Sequence, residues 1–164
     1  MTYINFVILS NTWPWEFFGF RSEAEGCPVQ YWFDNLGDED REEITDLLGY
    51  IRPMTNRPWP EKVFDPLKGE GGISEIRVEN IRCFREGKVQ EVTYRIYGFF
   101  GPREYEHSYT FLHGTRKEAR NDRIGKQIAR GRLDEIIRGI AGVHKFEFTK
   151  RPNSAVEARP RRPS

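Results

Sequence analysis

At 164 residues the chain is about one ordinary domain, and its 37% hydrophobic and 31% charged residues exclude a membrane-embedded protein, while 14% aromatics argue against wholesale disorder. The formal net charge of +1 conceals a segregation: residues 1–70 hold 13 Asp/Glu against 6 Lys/Arg, a net of −7, and residues 71–164 hold 12 against 20, a net of +8. A basic half invites a polyanion, because clustered charge creates a local field even when the total is small; the plainer alternative is that these charges coat solvated faces and pair with one another.

The apolar run Phe6–Leu9 near the start is far shorter than the roughly 18 residues a membrane span requires, so a cytoplasmic protein is expected. Residues 3–9 and, beyond Pro14, Trp15–Phe20 are apolar and aromatic enough for strands. Cys27 and Cys83 have a spacing that suggests neither a disulfide framework nor a metal site, and reduced thiols are the simpler reading. Pro28 suits a first helical turn, and Val29, Trp32, Phe33 and Leu36 fall at helical spacing. After the break at Gly37, Asp38–Asp40 supply a capping carboxylate and negative charge where a helix start favours it, and Ile44, Leu47, Leu48 and Ile51 predict a second helix ending before Pro53.

From Pro53 to Gly72 proline and glycine predict an irregular loop pinned by Trp59, Val63, Phe64 and Leu67. Extended segments follow at Ile73–Glu79, Val89–Phe100 and Ser108–His113, separated by Gly87 and by Gly101-Pro102, which reads as an antiparallel meander. Asp122–Arg138 is a basic amphipathic helix carrying Ile124, Ile128, Leu133, Ile136 and Ile137, with Ile140 just past it and Gly139 as its stop. Pro152–Ser164 has little to bury and predicts disorder or an extended arm, in which Arg159, Arg161 and Arg162 can neutralise phosphates. The order of elements gives an α+β fold, with helices packed on an antiparallel sheet.

Several short pieces carry a resemblance in their order and spacing. They are Trp15-Glu16-Phe17-Phe18, Gly26-Cys27-Pro28-Val29, Asp34-Asn35-Leu36, Pro66-Leu67-Lys68-Gly69, Ser74-Glu75-Ile76-Arg77, Tyr94-Arg95-Ile96-Tyr97, and Leu112-His113-Gly114 followed by Lys117. Together they make the chain from about Trp15 to Arg138 resemble the phage-derived, HigB-like branch of the RelE/ParE toxins. The sequence departs from that pattern at Ser74, where tryptophan is usual, at Thr115, where phenylalanine is, and at Asn121-Asp122, which no proline follows. The resemblance implies a RelE-like antiparallel sheet with two N-terminal helices and a C-terminal helix packed on it. It implies a toxin domain over 15–141, flanked by extensions at 1–14 and 142–164. It also implies a metal-independent endoribonuclease that cleaves mRNA and halts translation, without a cofactor, with or without the ribosome, restrained by an antitoxin of helix-turn-helix type. ParE-like members of the superfamily poison gyrase instead, and a non-catalytic nucleic-acid-binding adaptor is a third reading.

Strand alternation puts Arg95 and Tyr97 on one face, and Glu75 and Arg77 on one face. If these are the same face, Arg77 and Arg95 meet over the sheet, flanked by His113, Arg116 and Lys117, and form a cationic cleft. RNA cleavage without a metal needs an activated 2′-hydroxyl, stabilised phosphorane charge and a protonated leaving oxygen. Arg95 is the first candidate for the phosphate, since a planar fork donates two parallel bonds, with Arg77 and Lys117 as helpers. His113 is a candidate acid or base, and Tyr97 an alternative proton donor or a platform for a base. Arg116, Arg120, Arg123, Lys126 and Arg130 are candidate RNA contacts, and with Arg132 and Arg138 the last helix carries enough positive charge either to approach ribosomal RNA phosphates or simply to be coated by solvent. Each has a plainer alternative: Arg77 and Arg95 can pair across strands with Glu75, Glu79 or Glu91, His113 can be a packed histidine in register with Tyr109 and Phe111, Tyr97 an ordinary strand aromatic, and Arg116 and Lys117 solvated turn residues. Gly71-Gly72 lacks the pattern of a phosphate-binding loop, and no His/Cys cluster has metal-ligand spacing.

Overall fold

A computed structural model describes residues 15–54, 59–102, 106–118 and 120–148, with the backbone alone for 80–85. The strand expected at 3–9, the arginine-rich tail at 152–164 and the Cys83 side chain lie outside the described residues; Cys27 carries a free thiol. The elements are β1 (Glu16–Arg21), α1 (Pro28–Asp34), α2 (Asp38–Ile51), β2 (Phe64–Pro66), β3 (Ser74–Arg85), β4 (Lys88–Phe100), β5 (Ser108–Arg116), α3 (Arg123–Ile137) and β6 (Gly142–Lys145). The fold is α+β, as expected, and no described helix is long and apolar enough to cross a membrane.

The six strands form one sheet in the order β2-β3-β4-β5-β1-β6. The meander β3–β4–β5 is antiparallel, as its turns predict. β1 joins it parallel to β5, which the excursion through α1 and α2 makes possible, because parallel neighbours need a long crossover. Two strands were not expected. Within the proline-rich stretch Phe64–Pro66 pairs with β3; Pro66 sits on the sheet edge, where its missing N–H breaks no ladder bond. Past Ala141, where the domain was expected to end, Gly142–Lys145 pairs antiparallel with β1, and Phe146 enters the core.

α1 and α2 cover one face of the sheet over an aromatic core. Trp59 is 1% exposed, and its ring lies 5.3 Å from Trp15, 5.4 Å from Phe64 and 5.5 Å from Tyr109. These contacts, more than any local preference, hold Trp59 against the core. Ile44, Leu48 and Ile51 supply the inner stripe of α2, and Gly114 is required on β5 because a Cβ there would stand 2.3 Å from the Trp32 ring. The capping carboxylate expected from Asp38–Asp40 is not formed, since Gly37 is the N-cap and has no side-chain partner; Asp40 is instead buried and accepts from the Tyr94 hydroxyl.

α3 covers the opposite face. Asp122 caps it, accepting from Gly125 N at 2.9 Å, and Gly139, at φ 76°, ends it. Its buried stripe is Gly125, Ala129 and Leu133, with Ile136 packed beside them. Ile124 and Ile137, expected inside, are 71% and 72% exposed, and Ile140 is exposed as well. The small Ala129 packs against the sheet, while Gly125 leaves room for the Asp122 carboxylate that caps the helix, and that choice of face turns the two isoleucines outward.

Candidate nucleic-acid interface

The registers settle which strand residues share a face. Glu75 lies opposite Tyr97, and Arg77 opposite Arg95; Tyr97 lies opposite His113, and Arg95 opposite Thr115. Directly opposed residues point the same way, as do residues two apart on a strand. Glu75, Arg77, Arg95, Tyr97, His113 and Thr115 therefore all occupy the α3 face.

His113 reaches that face through an irregularity. Simple alternation from Tyr109 and Phe111 would carry it into the aromatic core. The ladder shifts between Tyr97 and Gly98, where Gly98 pairs with Phe111, so Leu112 is an extra residue on β5. Leu112 packs with Phe20, Tyr97, Ala129 and Leu133 under α3, and the His113 ring comes to lie nearly parallel to Tyr97, with centroids 6.3 Å apart.

Sharing a face does not make the two arginines converge on a ligand. Arg95, expected as the accessible phosphate clamp, is 8% exposed. Its Nε is 3.1 Å from Glu75 Oε1, an ion pair without hydrogen-bond alignment, and its Nη2 donates to the Arg120 carbonyl at 3.1 Å. This corrects the clamp assignment: α3 and the residues leading into it lie across this part of the sheet, and a guanidinium so covered requires a carboxylate and a carbonyl as partners. Arg77 turns the other way, its Nη2 donating to the Glu61 carbonyl at 3.3 Å and standing 3.8 Å from Asp65. Burial pushes the Glu75 carboxyl above its ordinary range in spite of the pull of Arg95 and Arg77.

Tyr97 is fully buried and donates to Asp122 Oδ2 at 3.0 Å. Burial first, then the hydrogen bond to Asp122, raise its phenol above the ordinary value, while a hydrogen bond with Arg95 opposes them. This corrects its expected role as a platform for a base, since no face of the ring is open, and its proton is already committed to Asp122. His113 is half-buried, and Arg132 Nη1 stands 3.4 Å from its Nδ1. Burial, followed by the charge of Arg132, pulls the imidazole below its ordinary value against the opposing Asp122 and Glu25.

The accessible cations lie at the end of β5 and the start of α3. Arg116, Lys117, Arg120, Arg123 and Arg130 are exposed, and Lys126 is half-buried. Arg116, Lys117 and Arg123, with the carboxylates of Glu118 and Asp122 and the neutral Thr115, Asn121 and Ile124, line a cleft of about 420 Å³ between the two elements. Its position is fixed from below: Lys117 N donates to the Thr93 carbonyl at 2.7 Å, Arg95 holds the Arg120 carbonyl, and Tyr97 holds Asp122. Arg116 also pairs with Glu118 at 3.5 Å, and Arg130 with Glu70 at 3.4 Å, both at exposed positions where such pairs exchange readily with water and ligands. Among the described residues no three His, Cys, Asp or Glu side chains gather as a metal-binding group.

Sequence reading missed Glu25 and Asp122 as members of this site, and took Arg132 only as a helix cation facing RNA, whereas it turns inward to Glu25 and His113. Asp122 had a signal, its place at the start of an amphipathic helix. The meeting of Glu25 and Arg132 had none, the two being 107 positions apart. No protein-family model, curated protein or solved structure matches the chain, so the site's chemistry rests on its own residues.

Proposed function

We propose that this chain is an RNA-directed toxin with a RelE-like fold, which engages the backbone of messenger RNA through the β5–α3 cleft, halts translation by cleaving the transcript, and is restrained by a separately encoded antitoxin. The observation that carries this reading is the cleft itself. It gathers Arg116, Lys117 and Arg123 at one accessible place, where three cations outnumber the carboxylates of Glu118 and Asp122. Such a cluster favours a phosphodiester over a neutral ligand. Two helices on one face of a largely antiparallel sheet and a third on the other agree with the resemblance from Trp15 to Arg138.

With Arg95 committed to Glu75, charge stabilisation on the phosphate falls to Lys117, Arg116 and Arg123. Arg95 and Tyr97 act through α3, holding the cleft's far wall in place. Induction of the chain in bacteria tests the proposal: growth arrest with new transcript 5′ ends is expected, and a Lys117→Ala/Arg123→Ala variant should lose both. In vitro, the same variant should bind single-stranded RNA with a salt slope lower by about 0.7 for each phosphate contact removed. Arrest with intact transcripts and a DNA-damage response would point to a gyrase-directed toxin instead.

A second reading, RNA binding without cleavage, is favoured by one observation. The groups expected to do chemistry, Arg95 and Tyr97, are covered by α3. RNA affinity that depends on Lys117 and Arg123, with neither toxicity nor fragments, would establish that reading and remove the nuclease.

A further inference from the structure

We infer that Arg132 is a positioning residue that fixes His113 as a ring protonated at Nε2 alone, so that His113 offers a hydrogen-bond donor to a phosphoryl oxygen and is not the acid–base group of the site. The statement about the ring rests on geometry, and its role toward phosphate rests on the function proposed above.

Arg132 reaches from the buried side of α3 to the bulge in β5. Its Nη1 donates to the Leu112 carbonyl at 2.8 Å and stands 3.4 Å from His113 Nδ1. Its Nη2 is held by Glu25 Oε1 at 2.7 Å, and its guanidinium carbon lies 5.5 Å from the centre of the Phe20 ring. The group is anchored on three sides and only 12% exposed, so it cannot swing away at small cost.

A guanidinium has donors and no acceptor. The nitrogen facing it must therefore present a lone pair, because a proton on Nδ1 would set N–H against N–H. In a neutral imidazole the single proton then sits on Nε2. No hydrogen bond from that nitrogen is formed within the described residues, and the ring is only half-buried, which leaves the Nε2 proton for a ligand or water. The charged groups facing the ring are Arg132 and Asp122 on α3 and Glu25 on the turn after β1; Tyr97 on β4 is neutral. Burial and Arg132 both disfavour the imidazolium, which agrees with the geometry. A ring in this state cannot take up a proton at Nε2, but it can donate a hydrogen bond from there to developing negative charge.

The experiment is nitrogen-15 NMR of the histidine rings in the full chain, with and without Arg132→Gln. The wild type should show His113 with a bare Nδ1 and a protonated Nε2, titrating below the ordinary value. R132Q should show mixed tautomers and a titration moved up towards the ordinary value of 6.5. A protonated Nδ1 in the wild type, or an R132Q titration identical to it in a protein whose amide spectrum shows it folded, would overturn the assignment. The phosphate role is read with a short single-stranded oligoribonucleotide. The amide nitrogen of glutamine can stand where Nε2 does and that of asparagine where Nδ1 does, so H113Q should bind about tenfold more tightly than H113N, one charge-assisted hydrogen bond. Equal affinities would remove the donor role. A wild type that binds no RNA would sink the proposed function and the phosphate role together, leaving the ring assignment to be decided by the NMR result.

Discussion

The two faces of the sheet are covered by helices in different ways. Under α1 and α2, ring packs on ring: Trp15, Phe17, Trp59, Phe100, Tyr109 and Phe111 lie with neighbouring centroids about 5–6.5 Å apart, and the polar groups buried among them, Asp40 and Ser74, are each bonded to a tyrosine hydroxyl. Under α3 a smaller apolar cluster of Phe20, Ile73, Tyr97, Leu112, Ala129 and Leu133 is bordered by charge: Glu75 with Arg95, Tyr97 with Asp122, Arg132 with His113 and Glu25. Apolar burial stabilises with little dependence on direction, whereas a buried charge has to find its partner or lose stability. The first face therefore supplies most of the fold's stability, and the second fixes where α3 lies, and with it the shape of the cleft.

Four perturbations test that contrast, from the largest expected effect to the smallest. Phe111→Ala in the aromatic core should cost about 3–5 kcal/mol in denaturant unfolding, by lost transfer energy and a cavity. A loss under about 1 kcal/mol would mean that this face is loosely packed. Arg95→Met leaves Glu75 buried without its partner and should cost nearly as much, about 3–4 kcal/mol. Its signature differs, however. The loss should shrink as pH falls and Glu75 takes up a proton, and a Glu75→Gln/Arg95→Met double variant should recover most of it, neither of which a cavity in the aromatic core would do.

Tyr97→Phe removes one hydrogen bond to the cap of α3 and should cost only about 1 kcal/mol globally. Hydrogen exchange should nevertheless quicken at the first turn of α3 more than in β4; uniform exchange would show that Asp122 is held by other means. The smallest effect is on pH dependence. His113 and His144 are both held below the ordinary value of 6.5, first by burial. The unfolded chain then binds more protons than the folded one below that value, so stability should fall as pH drops from 7 towards the lowered folded values. H113Q should flatten part of this slope, which comparing thermal midpoints of variant and wild type at pH 7.5 and 5.5 would reveal.

Local patterns carried the helices well. Pro28 at a first turn, the acidic start at Asp38 and the cap at Asp122 are each decided within a few residues, which is why the predicted bounds of all three helices lie close to Pro28–Asp34, Asp38–Ile51 and Arg123–Ile137. The meander was legible for the same reason. β2 and β6 were not: three and four residues contain no period to read, and they are strands only because a neighbour offers an edge. The site was half legible. Pairing Arg77 with Arg95 on one face follows from alternation once the register is given, yet whether that face is open depends on where α3 lies.

By itself, then, the sequence determined the class of fold, the helices and the concentration of positive charge in the second half, since each depends on residues near one another in the chain or on composition. Tertiary structure alone decided that Arg95 is neutralised inside, that His113 lies beside Tyr97, and that Arg132 meets Glu25 from across the molecule. Those outcomes turn on one inserted residue in β5 and on which stripe of α3 approaches the sheet, and each is settled by packing between distant segments that no local preference encodes.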